Sequence, residues 1–223
     1  MNSNQFEIVS DRVIVSDPCY EKHSACQLVL DNVHKGYWTL DLIHIDSGDW
    51  GRRVSELVCT ANCAVEDCFP ETGWRSIGYM AVDSGQGGVF DAGYYKDDNA
   101  IIDSEMAHHE SPIIDSDEDG ARWYNFCCDR TLADIFDGGS VIPYGAVSSS
   151  GYGDGNYEVF VKYAKDKTIV AIRIVFITDD DEAIQNDDEP DVWEPSYCPI
   201  CGNELNSLLQ CSKCEEKEKN QNV

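Results

Sequence analysis

The stretch NYEVFVKYAKDKTIVAIRIVFIT, residues 156–178, decides the fold class. Apolar side chains recur at every second position on either side of the polar turn KDK: Tyr157, Val159, Val161 and Tyr163 before it, and Val170, Ile172, Ile174 and Phe176 after it. Alternation with period two is typical of a strand that buries one face. Two such runs across a short polar turn predict a β-hairpin.

The rest of the chain extends this β reading. Three further stretches predict strands: RVIVS (12–16), GYWTLDLIHI (36–45) and SIGYMAVDSG (76–85). Only ARWYNFCCDRTLADIFDGG (121–139) predicts a helix, because Leu132, Ile135 and Phe136 have helical spacing and DGG supplies a stop. We therefore predict a mainly β (α+β) protein, with a compact β-sheet body and few helices.

Charge limits the partners that the body can bind. The chain has 16 Lys and Arg against 42 Asp and Glu, a formal net charge of −26, and it contains no basic run. Binding to a duplex requires cations that displace counterions from phosphates, so we expect no direct nucleic-acid binding by the body. The acidity favours solubility and mutual repulsion between copies. A sharper alternative is an acidic mimic that presents carboxylates where a partner expects phosphates.

No apolar stretch approaches the roughly 18 residues of a membrane span, and MNSNQFEIVSDR at the start is too polar for a signal peptide. These features predict a soluble, cytoplasmic protein without a membrane segment. Composition further divides the chain into a β-rich body (1–178), an acidic linker (179–195), a cysteine-rich segment (196–215) and a disordered tail (216–223).

The cysteine-rich segment carries the most specific signal in the sequence. In YCPICGNELNSLLQCSKC, two CxxC pairs are separated by nine residues: Cys198 and Cys201, then Cys211 and Cys214. Each pair can direct two thiolates at one metal, and four thiolates suit tetrahedral Zn²⁺ at about 2.3 Å. With four protein ligands the site is structural, so we predict a zinc knuckle, similar to zinc ribbons and rubredoxin-type knuckles, that supports contacts with partners.

Three stretches of the body are unusually rich in turn-forming and polar residues: VSDPCY (15–20), MAVDSGQGGVFD (80–91) and VSSSGYGDGNY (147–157). In the first, Asp17 and Pro18 are typical of an Asx-Pro turn that leaves a strand. Cys19 is then either a small buried residue or a poised thiol with His23 four residues on. We favour the structural interpretation of this cysteine.

The other two stretches allow a turn or a ligand site. Asp83 stands at a strand end before a glycine-rich loop, where Ser84 and Gln86 are possible ligand donors, although a hairpin connection is the default. Gly151, Gly153 and Gly155 recur at period two; they either form a turn or leave one face of an extended segment bare for a strand or ligand.

Together with RWYNFCCDRTL (122–132), these three stretches resemble an uncharacterised family found in phages and bacteria. The resemblance covers most of residues 10–178. It implies a phage or prophage origin and a small accessory or host-interaction role. It supplies no catalytic residues, and the zinc knuckle resembles an addition to the family's body.

Three function classes follow. The first is an accessory or interaction protein whose Gly/Ser/Asp loops bind a protein partner or a small ligand through Asp17, Asp83, Gln86, Ser149 and Asp154, which we expect in one cleft. The second is a metal-dependent hydrolase in which aspartates, with Asp91 among them, converge on a hard cation. The third is the acidic nucleic-acid mimic. No familiar catalytic motif is present in the sequence, and we place the first class ahead.

We expect one tightly bound zinc ion per chain. Metal analysis of the purified full-length protein should detect it, and Cys201→Ser or Cys211→Ser should lose it because each removes one of four thiolates. Full retention of zinc by both variants would contradict the Cys₄ assignment.

Overall fold

In the computed structural model the described residues are 4–62, 73–102 and 119–178. The predicted acidic linker, zinc knuckle and tail lie outside the described residues. No helix among the described residues combines the length and the apolar composition needed to cross a membrane.

Two antiparallel sheets form the described body, which confirms the mainly β prediction. The six-stranded sheet has the order β1-β4-β5-β11-β10-β6 and the five-stranded sheet the order β3-β2-β7-β9-β8. The strands of the first sheet are β1 (Gln5–Ile8), β4 (Gly36–Asp46), β5 (Arg52–Ala61), β6 (Arg75–Val82), β10 (Gly155–Tyr163) and β11 (Ile169–Val175). Those of the second are β2 (Arg12–Ser16), β3 (Leu28–Asp31), β7 (Gln86–Asp91), β8 (Gly139–Ile142) and β9 (Gly145–Ser149).

The predicted hairpin is the pair β10 and β11. Val159 lies opposite Ile174 and Val161 opposite Ile172, so the apolar sets of the two strands share one face. All four of these side chains are buried. Register is fixed here because a slip by one residue would move every apolar side chain to the solvent face.

The main core lies between the two sheets. It joins Trp38, Leu57 and Met80 of the six-stranded sheet to Val15 and Val89 of the five-stranded sheet. The inner faces of the sheets interdigitate in this way in a β-sandwich. A second core covers the other face of the five-stranded sheet.

This second core is supplied by helix α2 (Ala121–Leu132), with the short helix α1 (Asp98–Ile102) beside it. Trp123, Phe126 and Cys127 of α2 pack with Phe90 and Val147 of the sheet. Strand β7 is therefore buried on both faces along its whole length.

The helix begins where it was predicted, at residue 121, but it ends at Leu132 and not near residue 139. Leu132 and Ile135 are 79% and 75% exposed, because α2 ends at Leu132 and Ala133 is extended before a separate 3₁₀ turn at Asp134–Phe136. The apolar spacing of 132–136 therefore does not continue one helical face. The α2 side chains that are buried are Trp123, Phe126, Cys127, Arg130 and Thr131.

The chain crosses between the sheets at four described connections: residues 9–11, 32–35, 83–85 and 150–154. These segments are called the sheet crossings. Two of them, residues 83–85 and 150–154, lie within the polar stretches that the sequence singles out, so the candidate site is built at the crossings.

Close approach of strands β7 and β9 makes Gly88 sensitive to substitution. A Cβ atom there would lie 2.4 Å from Cζ of Phe90 and 2.5 Å from the Ala146 carbonyl oxygen. We expect Gly88→Ala to lower the free energy of unfolding by at least about 2 kcal/mol in urea titrations. Gly73→Ala is the control, because no atom of the described residues lies within 4 Å of a Cβ atom at that position. Equal midpoints for the two variants would contradict the packing described here.

Candidate functional site

The side chain of Asp17 joins the SDPCY stretch to the VDSGQ stretch. It is fully buried, and its Oδ2 accepts hydrogen bonds from the backbone N–H groups of Asp83 (2.8 Å) and Ser84 (2.7 Å). Its Oδ1 accepts from the Cys19 N–H (2.8 Å) and the Ser84 hydroxyl (2.6 Å). A buried charge requires such partners, and four donors satisfy this one. Asp17 therefore holds a sheet crossing together.

Gln86 continues this polar network toward helix α2. Its amide nitrogen donates to Ser84 Oγ and to Cys128 Sγ, both at 3.4 Å, and its carbonyl oxygen accepts from the Thr131 hydroxyl at 3.1 Å. Gln86 is buried, and its amide is occupied by these contacts. It ties the start of β7 to the end of α2.

Cys19 and Tyr20 lie at the same crossing and keep their protons. Burial raises the pKa of the Cys19 thiol to about 12, and the hydrogen bond to Asp17 and nearby carboxylate charges act in the same direction. Burial and a hydrogen bond to the exposed Asp83 carboxylate also raise the pKa of the Tyr20 hydroxyl. Because a thiolate is the nucleophilic form of cysteine, Cys19 is a thiol without nucleophilic activation at neutral pH.

Asp91 stabilises the crossing at residues 9–11 in the same way. Its Oδ2 accepts from the backbone N–H groups of Val9 and Ser10, each at 2.7 Å, and its Oδ1 from that of Gly93 at 2.8 Å. Protein donors thus occupy the oxygens of Asp17 and of Asp91, and convergence of the aspartates on one cation stays a prediction. Among the described residues, no group of three or more His, Cys, Asp or Glu side chains is placed to hold a metal ion.

The SSSGYGDG stretch forms a compact turn. Gly151 and Gly153 have φ angles of +62° and +113°, so the segment is not extended and the period-two spacing does not expose one bare face. The Ser150 hydroxyl donates to the Gly153 carbonyl oxygen at 2.7 Å, and the Tyr157 hydroxyl donates to the same oxygen at 2.6 Å. A Cβ atom at Gly151 would lie 2.7 Å from Ile177, so glycine permits a close approach of the chain there.

The five predicted ligand residues differ in burial, and two of them line different cavities. Asp17 and Gln86 are buried, and Asp83 is exposed beside the Asp17 crossing. Ser149 lies opposite Gln86 in the strand pair and lines a cavity of about 230 Å³ with His44, Arg52 and Asp137 among its walls. Asp154 lines a different and larger cavity. The convergence of all five residues in one cleft and their binding of a ligand both stay predictions.

The larger cavity is a groove of about 710 Å³, open to solvent, between loop residues 152–155 and the outer face of the six-stranded sheet. We call it the loop–sheet groove. Its lining includes charged and aromatic side chains from four strands and one loop: Glu56, Tyr79, Tyr152, Asp154, Glu158, Phe160 and Arg173.

Charge and exposure differ along the loop–sheet groove. Arg173 forms an ion pair with Glu56, with Nε and Oε2 3.2 Å apart. Tyr79 lies directly opposite Glu158 in the pair of β6 and β10, and its side chain is 61% exposed. Alternation along the predicted strand places Tyr79 at a solvent-facing position, so the sequence carries a signal for this residue.

Comparison with known proteins places the chain in a family. A family described as "Protein of unknown function (DUF4241)" matches residues 6–174. The chain belongs to this family. No curated protein and no solved structure matches it. Membership confirms the predicted uncharacterised family for the described body, while the phage origin and the zinc knuckle stay predictions.

The Asp17 network predicts a large loss of stability for Asp17→Ala. Three backbone N–H groups and the Ser84 hydroxyl would lose their acceptor, so we expect the free energy of unfolding to fall by about 3–5 kcal/mol in urea titrations. Asp154→Ala removes the same charge from an exposed position and should change it by less than about 0.5 kcal/mol. Matching midpoints for the two variants would show that Asp17 does not hold the crossing.

Proposed function

We propose that this protein is an accessory or interaction protein that binds a partner protein or a small ligand in the loop–sheet groove. The observation that carries the proposal is the exposure of Tyr79 and Tyr152, 61% and 37%, beside the glycine-rich loop that contains Asp154. Tyrosine is enriched in binding hot spots because it offers a large apolar area and a polar tip. Loops held by a rigid β scaffold are a common place for binding sites.

The chemistry of the polar stretches favours binding over metal-dependent hydrolysis. Asp17 and Asp91 would be the central carboxylates of a hydrolytic site, and protein donors occupy their oxygens. The Cys19 thiol, whose pKa is raised to about 12, lacks the activation that a nucleophile needs. A binding role requires neither a free carboxylate pair nor a thiolate.

In this proposal the partner is a host protein encountered in the cytoplasm, in keeping with the phage origin that the sequence resemblance implies. The predicted Cys₄ zinc knuckle of Cys198, Cys201, Cys211 and Cys214 supplies a second contact surface. A structural zinc site in so short a segment stabilises its fold and leaves its surface available for contacts.

Site-specific photo-crosslinking tests the groove directly. We expect p-benzoylphenylalanine at position 79 of the full chain to form a discrete adduct in host cells, identified by mass as a protein or a small molecule. The control is the same substitution at Tyr37, which is 45% exposed on β4 of the same sheet and does not line the groove. Adducts of equal yield at both positions, or none at position 79, would overturn the proposal.

A further inference from the structure

The outer face of the six-stranded sheet pairs aromatic rings with the chain's own cations. Nζ of Lys162 lies 4.5 Å from the ring centroid of Trp74. The guanidinium of Arg173 lies 5.7 Å from the Trp74 centroid and 5.3 Å from that of Phe160. Cations at these distances are attracted to the negative face of the ring. The rings at this end of the face are already supplied with cations.

The rings of Tyr79 and Tyr152, which also lie along the groove, differ from those of Trp74 and Phe160. Within the described part of the chain, no cation lies over Tyr79 or Tyr152. The Tyr152 ring packs edge-on against Trp50, with centroids 6.4 Å apart, and its hydroxyl donates to Ser47. Tyr79 stands more than half exposed beside Glu158, to which it is paired in register.

The negative charge of the groove is also unbalanced at this end. Glu56 is neutralised by Arg173, whereas Glu158 and Asp154 have no ion-pair partner among residues 4–62, 73–102 and 119–178. Glu158 accepts one hydrogen bond, from the Ser76 hydroxyl. In the part of the chain that the structure describes, two carboxylates without an ion-pair partner therefore line the same groove as two rings without a cation, and the net charge of the chain is −26.

We propose that the occupant of the loop–sheet groove is an arginine-bearing basic segment of a partner protein. This inference rests on the proposed function and names the chemistry of its partner. A guanidinium can stack on Tyr79 and direct its planar fork of donors at Glu158 or Asp154, which combines ring and carboxylate contacts in one side chain. Lysine provides the charge without the fork, so it should bind more weakly.

Other occupants fit the groove less well. An anionic segment would meet Asp154, Glu158 and the field of the whole chain. A neutral apolar ligand would cover the two carboxylates without giving them a partner, which is costly. A second copy of the chain would bring a further charge of −26 to the contact.

The test uses the full chain and a defined peptide, acetyl-GRGRGRG-amide, followed by amide chemical shifts at physiological salt. Two matched peptides replace arginine with lysine or with citrulline, which is nearly isosteric and uncharged. We expect shifts concentrated at Tyr79 and residues 152–158, weaker binding of the lysine peptide and no saturable binding of the citrulline peptide.

Variants locate the contact. We expect Tyr79→Leu to weaken arginine-peptide binding about 3- to 5-fold and Tyr79→Phe to change it less than about 2-fold, because only the first removes the ring. Asp154→Asn should weaken binding about 3- to 10-fold. Asp41→Asn removes the same charge from an exposed position of β4 outside the groove and should change the affinity by less than about 1.5-fold.

Equal losses for Asp154→Asn and Asp41→Asn, or equal binding of the citrulline peptide, would overturn the inference, since they would indicate diffuse attraction or charge-independent binding. A crosslinked adduct at position 79 together with no arginine-peptide binding would reject the basic partner and leave the groove as a binding site. Localised arginine-peptide binding without any adduct in cells would reject the proposed function and keep the cation site.

Discussion

The buried carboxylate of Asp17 holds the two sheets in their relative position at one crossing. It follows β2 in the five-stranded sheet and binds the N–H groups of residues 83 and 84, where the chain leaves β6 of the six-stranded sheet. An ionised carboxylate can be buried only where donors replace its water, and here three of the four donors come from the crossing at residues 83–85, far from Asp17 in the sequence. Asp91 applies the same device to the crossing between β1 and β2. In each case one side chain satisfies backbone groups that no strand can pair.

The sheet crossings explain why the polar stretches of the sequence resemble ligand-binding segments. Asp, Ser and Gly are needed where a chain leaves one sheet for another, because backbone N–H groups must find acceptors and φ must turn positive. Gly151 and Gly153 adopt such angles, and Ser150 closes the turn between them. Asp17, Asp91 and Ser150 use their polar atoms to build the crossings, whereas Tyr79 and Glu158 lie on the outer sheet face and line the groove. Asp154 is the predicted ligand residue that lines the groove there.

Much of the fold could be predicted from local alternation, since the hairpin of β10 and β11 follows directly from residues 156–178. The end of the helix could not be predicted, because the sequence keeps helical spacing of apolar residues through 132–136. The extended conformation of Ala133 ends the helix within that stretch. The role of Asp17 as a buried acceptor for the crossing at residues 83–85 could not be predicted from the sequence either. Whether Asp17 binds a ligand or supports a sheet crossing depends on backbone donors that lie 66 and 67 residues away in the sequence. The exposure of Tyr79 could be predicted, because alternation along the predicted strand of residues 76–85 places this aromatic side chain on the solvent side.

The rigidity of the crossings also bears on binding at the groove. The loop of residues 150–154 is closed by Ser150 and Tyr157 and packs closely on Ile177 at Gly151, so the position of Asp154 beside the sheet is set before any ligand arrives. Tyr152 is held as well, through its hydroxyl on Ser47 and its ring on Trp50. A preformed site loses little conformational entropy on binding, so even a shallow groove with few charged contacts can bind selectively. The residues that build the sheet crossings thereby contribute to recognition without contacting the ligand, because they fix the positions of the residues that contact it.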